Sequence, residues 1–109
     1  MGAVSLDDFC RENRLEKLDF IKIDTDGHEF EVLNGARETI AKYRPQIIFE
    51  IGLYVMQEKN IDFSFYTNYF GSLGYHLLDV KTGNHLTFEN HRKYIPPLGT
   101  IDAIALSNV

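Results

Sequence analysis

The sequence predicts a single α/β domain, and three observations carry that prediction. Short apolar or β-branched runs alternate with amphipathic stretches of helical spacing along the whole 109 residues. Proline and glycine mark the ends of several segments, at Pro45, Gly74 and Gly83. The composition, 44% hydrophobic and 25% charged, suits one compact domain covering residues 1–109.

The elements follow in order. Ser5-Leu6-Asp7-Asp8 reads as a helix start, with Ser5 capping the first N–H groups and the two acids facing the positive end of the dipole. Leu6, Phe9 and Cys10 share a face, so a short helix is expected over about 5–14. Asp19 to Asp24 is a β-rich run ending in an acid. Residues 28–43 place Phe30, Leu33, Ala36, Ile40 and Tyr43 at helical spacing. Gly35 reads as a position inside that helix, packed against a sheet, at about 1 kcal/mol of propensity relative to alanine. Pro45 ends the helix, and Gln46 to Ile51 forms a nearly continuous apolar strand. Asp62 is placed to cap a helix carrying Phe63, Tyr66, Phe70 and Leu73 toward the sheet, with Gly74 at its end. Lys81-Thr82-Gly83-Asn84 reads as the turn of a hairpin between 75–80 and 85–88. A polar loop over 89–99 leads to a last strand from Thr100 to Leu106.

The net charge of −5, with the eleven basic residues scattered, argues against a nucleic-acid partner. The lone Cys10 needs no oxidising compartment and reads as a small buried hydrophobe. No stretch reaches the roughly 20 apolar residues of a membrane span, and no signal peptide opens the chain, so the cytoplasm is the expected location.

Chemistry-bearing residues gather where α/β folds place function, at the carboxyl ends of strands. Asp24 ends the first strand and Glu50 lies near the end of the second. Asp26, His28 and Glu29 occupy the turn and helix start between them. Carboxylates there can bind a divalent cation, orient a hydroxyl or take its proton. A plainer account stands beside this one. Asp26 and Glu29 stabilise a helix start through the dipole with no catalytic role, and His28 serves as a cap or a surface residue. An acid ending an apolar strand, as at Asp24 and Glu50, is harder to justify on packing. His76, His85 and His91 lack metal-ligand spacing and are expected on the surface.

Two resemblances compete for Asp24-Thr25-Asp26-Gly27. Ile21 to Gly27 is similar to the strand-Asp-x-Asp-Gly of haloacid-dehalogenase-like phosphotransferases, which would make Asp24 a nucleophile in a Mg-dependent reaction. His28, the immediate helix start and the absence of a downstream acidic pair depart from that pattern. The longer resemblance joins Ser5 to Cys10, Asp19 to Glu29, Glu31 to Ala36, and Pro45 with Ile47 to Glu50. Together these blocks resemble the FkbM class I S-adenosylmethionine-dependent methyltransferases over residues 5–51.

That resemblance implies a partial Rossmann-like methyltransferase sheet with flanking helices. The chain would supply strands four to seven of the order 3-2-1-4-5-7-6, the last strand antiparallel. It implies S-adenosylmethionine as cofactor of the full-length parent and a small-molecule or sugar acceptor, with O-methylation the expected reaction. Asp24 and Glu50 would be the catalytic candidates, Asp24 also lying nearest the cofactor, and Asp26, His28 and Glu29 would line the acceptor side. The family's Gly-rich cofactor loop has no counterpart here, so this chain alone is expected neither to bind the cofactor nor to turn over. The resemblance also leaves the strand at 19–24 as a hydrophobic edge, suited to a homodimer or to a separate N-terminal half, the alternative being a partner-binding module.

Overall fold

The computed structural model describes residues 5–23 and 29–108, the side chains of Glu29 and Phe30 excepted. Helix α1 (Leu6–Glu12) leads to strand β1 (Phe20–Ile23), helices α2 (Glu29–Asn34) and α3 (Arg37–Tyr43), and strand β2 (Gln46–Gly52). Helices α4 (Leu53–Glu58) and α5 (Phe63–Ser72), strand β3 (Tyr75–Asp79), helix α6 (His91–Tyr94) and strand β4 (Thr100–Ser107) complete the fold. The four strands form one sheet in the order β1-β2-β4-β3. β1 runs parallel to β2, whereas β4 is antiparallel to both of its neighbours. The mixed α/β class is as expected, and so is the antiparallel last strand.

Side-chain alternation gives the sheet two unlike faces. Ile47, Phe49 and Ile51 of β2, with Ala103, Ala105 and Leu77 beside them, are buried. Phe49 lies against α5, stacked on Tyr66 and Phe70 at centroid distances of 5.5 and 5.4 Å. Leu33 of α2 and Ile40 of α3 join the same core, and the Tyr69 hydroxyl of α5 donates to the Leu33 carbonyl. Burial drives the Tyr69 phenol far above its ordinary pKa, so it stays a neutral donor. The other face carries Ile48, Glu50, Leu78 and Ile104, half-buried, beside the exposed Asp102. Helices on one face make a two-layer body, and the shortest molecular extent is 21 Å.

Local signals placed most element ends. The Ser5 hydroxyl accepts from Asp8 N at 3.1 Å, and Asp62 Oδ1 accepts from Ser64 N at 2.8 Å. Gly74 terminates α5 at φ +76°, a conformation that penalises any side chain. Cys10 is buried as expected. Hydrogen bonds from the Ser64 hydroxyl and N–H hold the Asp62 carboxyl below its ordinary pKa. A depressed folded-state pKa means that the cap's contribution is present above the unfolded carboxylate value, about 3.9. It is lost as pH falls through the lower folded value. Urea titrations of the wild type and Asp62→Asn are therefore expected to differ near neutrality and to converge as the pH falls well below the unfolded carboxylate value. A difference that persists unchanged at low pH would rule the charged cap out.

Four expectations are corrected. The one helix expected over 28–43 is two helices in its described part, 29–43, broken at Gly35-Ala36. Gly35 packs against the Ser5 side chain, 3.1 Å from the position a Cβ would take, rather than against the sheet. The break admits α1: Asp7 N donates to the Gly35 carbonyl at 2.9 Å. The Asp7 carboxylate then caps α3 by accepting from Thr39 N (2.7 Å) and Glu38 N (3.2 Å). Second, residues 85–88 form no strand, and only a single bridge links Leu78 with His85. β4 pairs with the opposite edge of β3, burying Leu77 beside Ala105. Third, 53–58 forms the unforeseen α4. Fourth, His91 is buried at 5% exposure, not on the surface.

Candidate functional site

The parallel pairing of β1 and β2 sets the geometry of the candidate site. Ile23 is in register with Phe49, so the two strands reach their carboxyl ends side by side, with Glu50 one residue beyond that last pair. Asp24, Asp26 and His28 lie outside the described residues, and Glu29 is described only as the first residue of α2. Of the five candidates from the sequence, Glu50 is the one whose surroundings are described.

Glu50 follows Phe49 and therefore projects from the opposite face, away from the helices. Its register partner on β4 is Asp102, so two carboxylates stand directly across an antiparallel pair. Like charges in that relation oppose each other. With β4 between β2 and β3, this acidic pair occupies the middle of the half-open face. It can accept hydrogen bonds from a hydroxyl or amine presented to that face. Among the described residues no group of three or more His, Cys, Asp or Glu side chains is arranged to hold a metal ion.

β1 is an edge strand with β2 as its one neighbour among the described residues. Its Phe20 is 49% exposed, Lys22 is exposed and Ile23 is buried. The expected hydrophobic edge is thus apolar toward the core and mixed on its open side.

Sequence patterning alone did not single out His91. It lies on α6, buried, in the wall of a groove between α4 and the start of α5, close beyond the carboxyl end of β2. A local signal existed. Thr87 and Asn90 exchange hydrogen bonds, Thr87 N to Asn90 Oδ1 at 2.8 Å and Asn90 N to Thr87 Oγ1 at 3.2 Å. Such a Thr-x-x-Asn box marks a pinned turn rather than a loose loop. His76 and His85, by contrast, are half-buried and exposed, with ring centroids 5.4 Å apart.

Among the described residues no helix is long and apolar enough to cross a membrane. Compared with known families, the chain matches the family model of the methyltransferase FkbM domain over residues 1–77. No curated protein and no solved structure matches it.

Proposed function

The chain belongs to the FkbM methyltransferase domain family, and from that premise we propose that it carries the acceptor side of an O-methyltransferase acting on a small molecule or sugar. The observation that supports this most is the sheet itself. Its order β1-β2-β4-β3, with β4 antiparallel, suits strands four, five, seven and six of such a methyltransferase. On that reading the carboxyl ends of β1 and β2 face the acceptor. Asp24 is the residue nearest the reacting centre, Asp26, His28 and Glu29 line the acceptor side, and Glu50 is the second acid. A carboxylate in this place orients the acceptor hydroxyl and takes its proton as the oxygen becomes a nucleophile.

The family implies S-adenosylmethionine as methyl donor. Two glycines near the sheet and α1 offer no cradle for it. A cofactor cradle needs glycines whose missing side chains leave room for the ligand. At Gly35 that room is taken by Ser5, and at Gly52 a Cβ would meet Thr100 Cγ2 at 2.9 Å and the Tyr54 ring at 3.1 Å. We propose that cofactor binding needs strands beyond those of this sheet. The open edge of β1 is where they would add, whether from a second copy or from a separate N-terminal half.

Calorimetric titration of S-adenosylmethionine into the purified chain tests the division of labour. No saturable heat is expected up to millimolar cofactor. Saturable binding at micromolar strength would overturn the acceptor-side reading, because these residues would then build a donor site as well.

A further inference from the structure

The edge of β3 away from β4 carries the segment that follows the Lys81–Asn84 turn. Leu86 N donates to the Leu77 carbonyl at 2.9 Å and Asp79 N to the Asn84 carbonyl at 2.8 Å, and Leu78 is bridged to His85. These bonds fix the register. Leu77 and Leu86 are both buried, so the residues that alternate with them turn the other way. His76 lies two residues before Leu78 and is therefore diagonally across from His85, on the same face. The pairing, not the spacing in sequence, brings the two imidazoles together.

Their ring centroids are 5.4 Å apart, with planes 39° from parallel. Two imidazoles bound through nitrogen to one tetrahedral ion, at about 2.1 Å each, have their centroids about 5 Å apart. The observed pair needs little adjustment to close on one ion. The Asn108 side-chain amide meets His76 Nδ1. An amide carries both an acceptor and donors, so it partners Nδ1 in either tautomer and leaves Nε2 as the coordinating atom. Metal-bound histidines are oriented in this way, by a partner on the nitrogen that does not bind. His85 is pinned through its backbone, because Asn90 Nδ2 donates to its carbonyl at 2.9 Å. The turn before it is held by Asp79 Oδ2, which accepts from Thr82 N at 3.0 Å and from Thr82 Oγ1 at 2.7 Å. Both rings line a hollow of about 390 Å³ that Glu89 also lines, with no Lys or Arg among its described lining residues. A cation there meets a carboxylate and no competing positive side chain.

We propose that His76 and His85 form a two-imidazole site for a late first-row divalent ion, zinc foremost, which fastens the segment 84–88 to β3. Imidazole nitrogen suits zinc, nickel and copper, whereas magnesium and calcium prefer oxygen. The ion takes the place of any proton at the coordinating nitrogen. No third His, Cys, Asp or Glu is arranged with the pair among the described residues, so water completes the coordination. With half the protein ligands of a structural zinc centre, a Kd on the order of 10–100 μM is expected. The site is independent of methyl transfer and needs no cofactor.

The test is a calorimetric titration of zinc chloride into the whole, untagged chain, stripped with EDTA and held in mildly alkaline buffer. One saturable site of that strength is expected, and His76→Gln and His85→Gln are each expected to weaken it at least tenfold. In a ¹⁵N-labelled sample, substoichiometric Ni²⁺ is expected to broaden the amide signals of residues 76–78 and 85–86 ahead of all others. Absence of saturable zinc heat up to millimolar ion overturns the proposal, as does nickel broadening centred on another part of the chain. Undiminished zinc binding by the double variant overturns it too. The first two results are read on the wild-type protein, so they stand even where a variant does not fold. Failure here leaves the methyltransferase reading untouched, because that reading is tested by the S-adenosylmethionine titration.

Discussion

Replacing Phe49 with alanine is expected to destabilise the fold by about 3–5 kcal/mol, the range for truncating a fully buried aromatic. Phe49 sits at the centre of β2 at 1% exposure, with the Tyr66 and Phe70 rings stacked on it from α5. The sheet between β1 and β4 cannot close around the void, because the backbone of β2 is hydrogen-bonded on both sides. A domain of this size loses roughly 4 °C of melting temperature per kcal/mol, so the expected fall is on the order of 12–20 °C. Phe49→Leu retains most of the volume and is expected to cost less than half as much. Thermal unfolding followed by far-ultraviolet circular dichroism distinguishes the two. A Phe49→Ala protein melting within a few degrees of the wild type would show that this core does not hold the sheet to α5.

The second large effect is expected at Arg44, where one side chain ties three element ends together. Its Nε and Nη2 donate to Ser107 Oγ at the end of β4, at 3.1 and 2.8 Å. Nη2 also donates to the Gly74 carbonyl at 3.0 Å, and Nη1 to that of Leu73, both at the end of α5. The guanidinium lies 4.8 Å from the centroid of the Tyr75 ring, and the Tyr75 hydroxyl in turn donates to the Pro45 carbonyl at 2.7 Å. Arg44 also occupies a left-handed conformation, φ 55° and ψ 47°, at the end of α3. Two opposed terms therefore meet at one position. Arg44→Ala loses the clamp and keeps the strained backbone, and is expected to cost on the order of 2–3 kcal/mol. Arg44→Gly loses the clamp but relieves the backbone, and is expected to be about 1 kcal/mol more stable than the alanine variant. Chemical denaturation of both variants checks the order. Glycine at the wild-type level would mean that the clamp contributes no more than the roughly 1 kcal/mol of backbone relief, and alanine at that level would mean that it contributes nothing.

These two positions differ in how much of their role could be read from the chain. The apolar run Gln46 to Ile51 announced a buried strand, so the importance of Phe49 follows from local pattern. Nothing near Arg44 announces Ser107 or Gly74, which lie 63 and 30 residues away. The same contrast runs through the site. Asp24 and Glu50 stood out because acids ending apolar strands are locally anomalous. His91 did not stand out, because its burial comes from Phe63, a residue of α5 far from it in sequence.

What the sequence determined by itself was whatever a few neighbouring residues decide. Ser5 and Asp62 capped their helices, Pro45 and Gly74 ended theirs, and the alternation of elements set the α/β class, because capping bonds and backbone dihedrals are local. What only the tertiary structure decided was where distant segments compete for the same groups. The Asp7 carboxylate supplied the cap that let 29–43 break into two helices at Gly35. β4 pairs along one edge of β3 while the segment after the Lys81–Asn84 turn keeps a single bridge on the other edge, because pairing β3 with Ala103 and Ala105 of β4 buries Leu77 in the core. That same arrangement set Asp102 opposite Glu50 and closed α6 over Phe63, because burial free energy is gained only once the whole sheet is assembled.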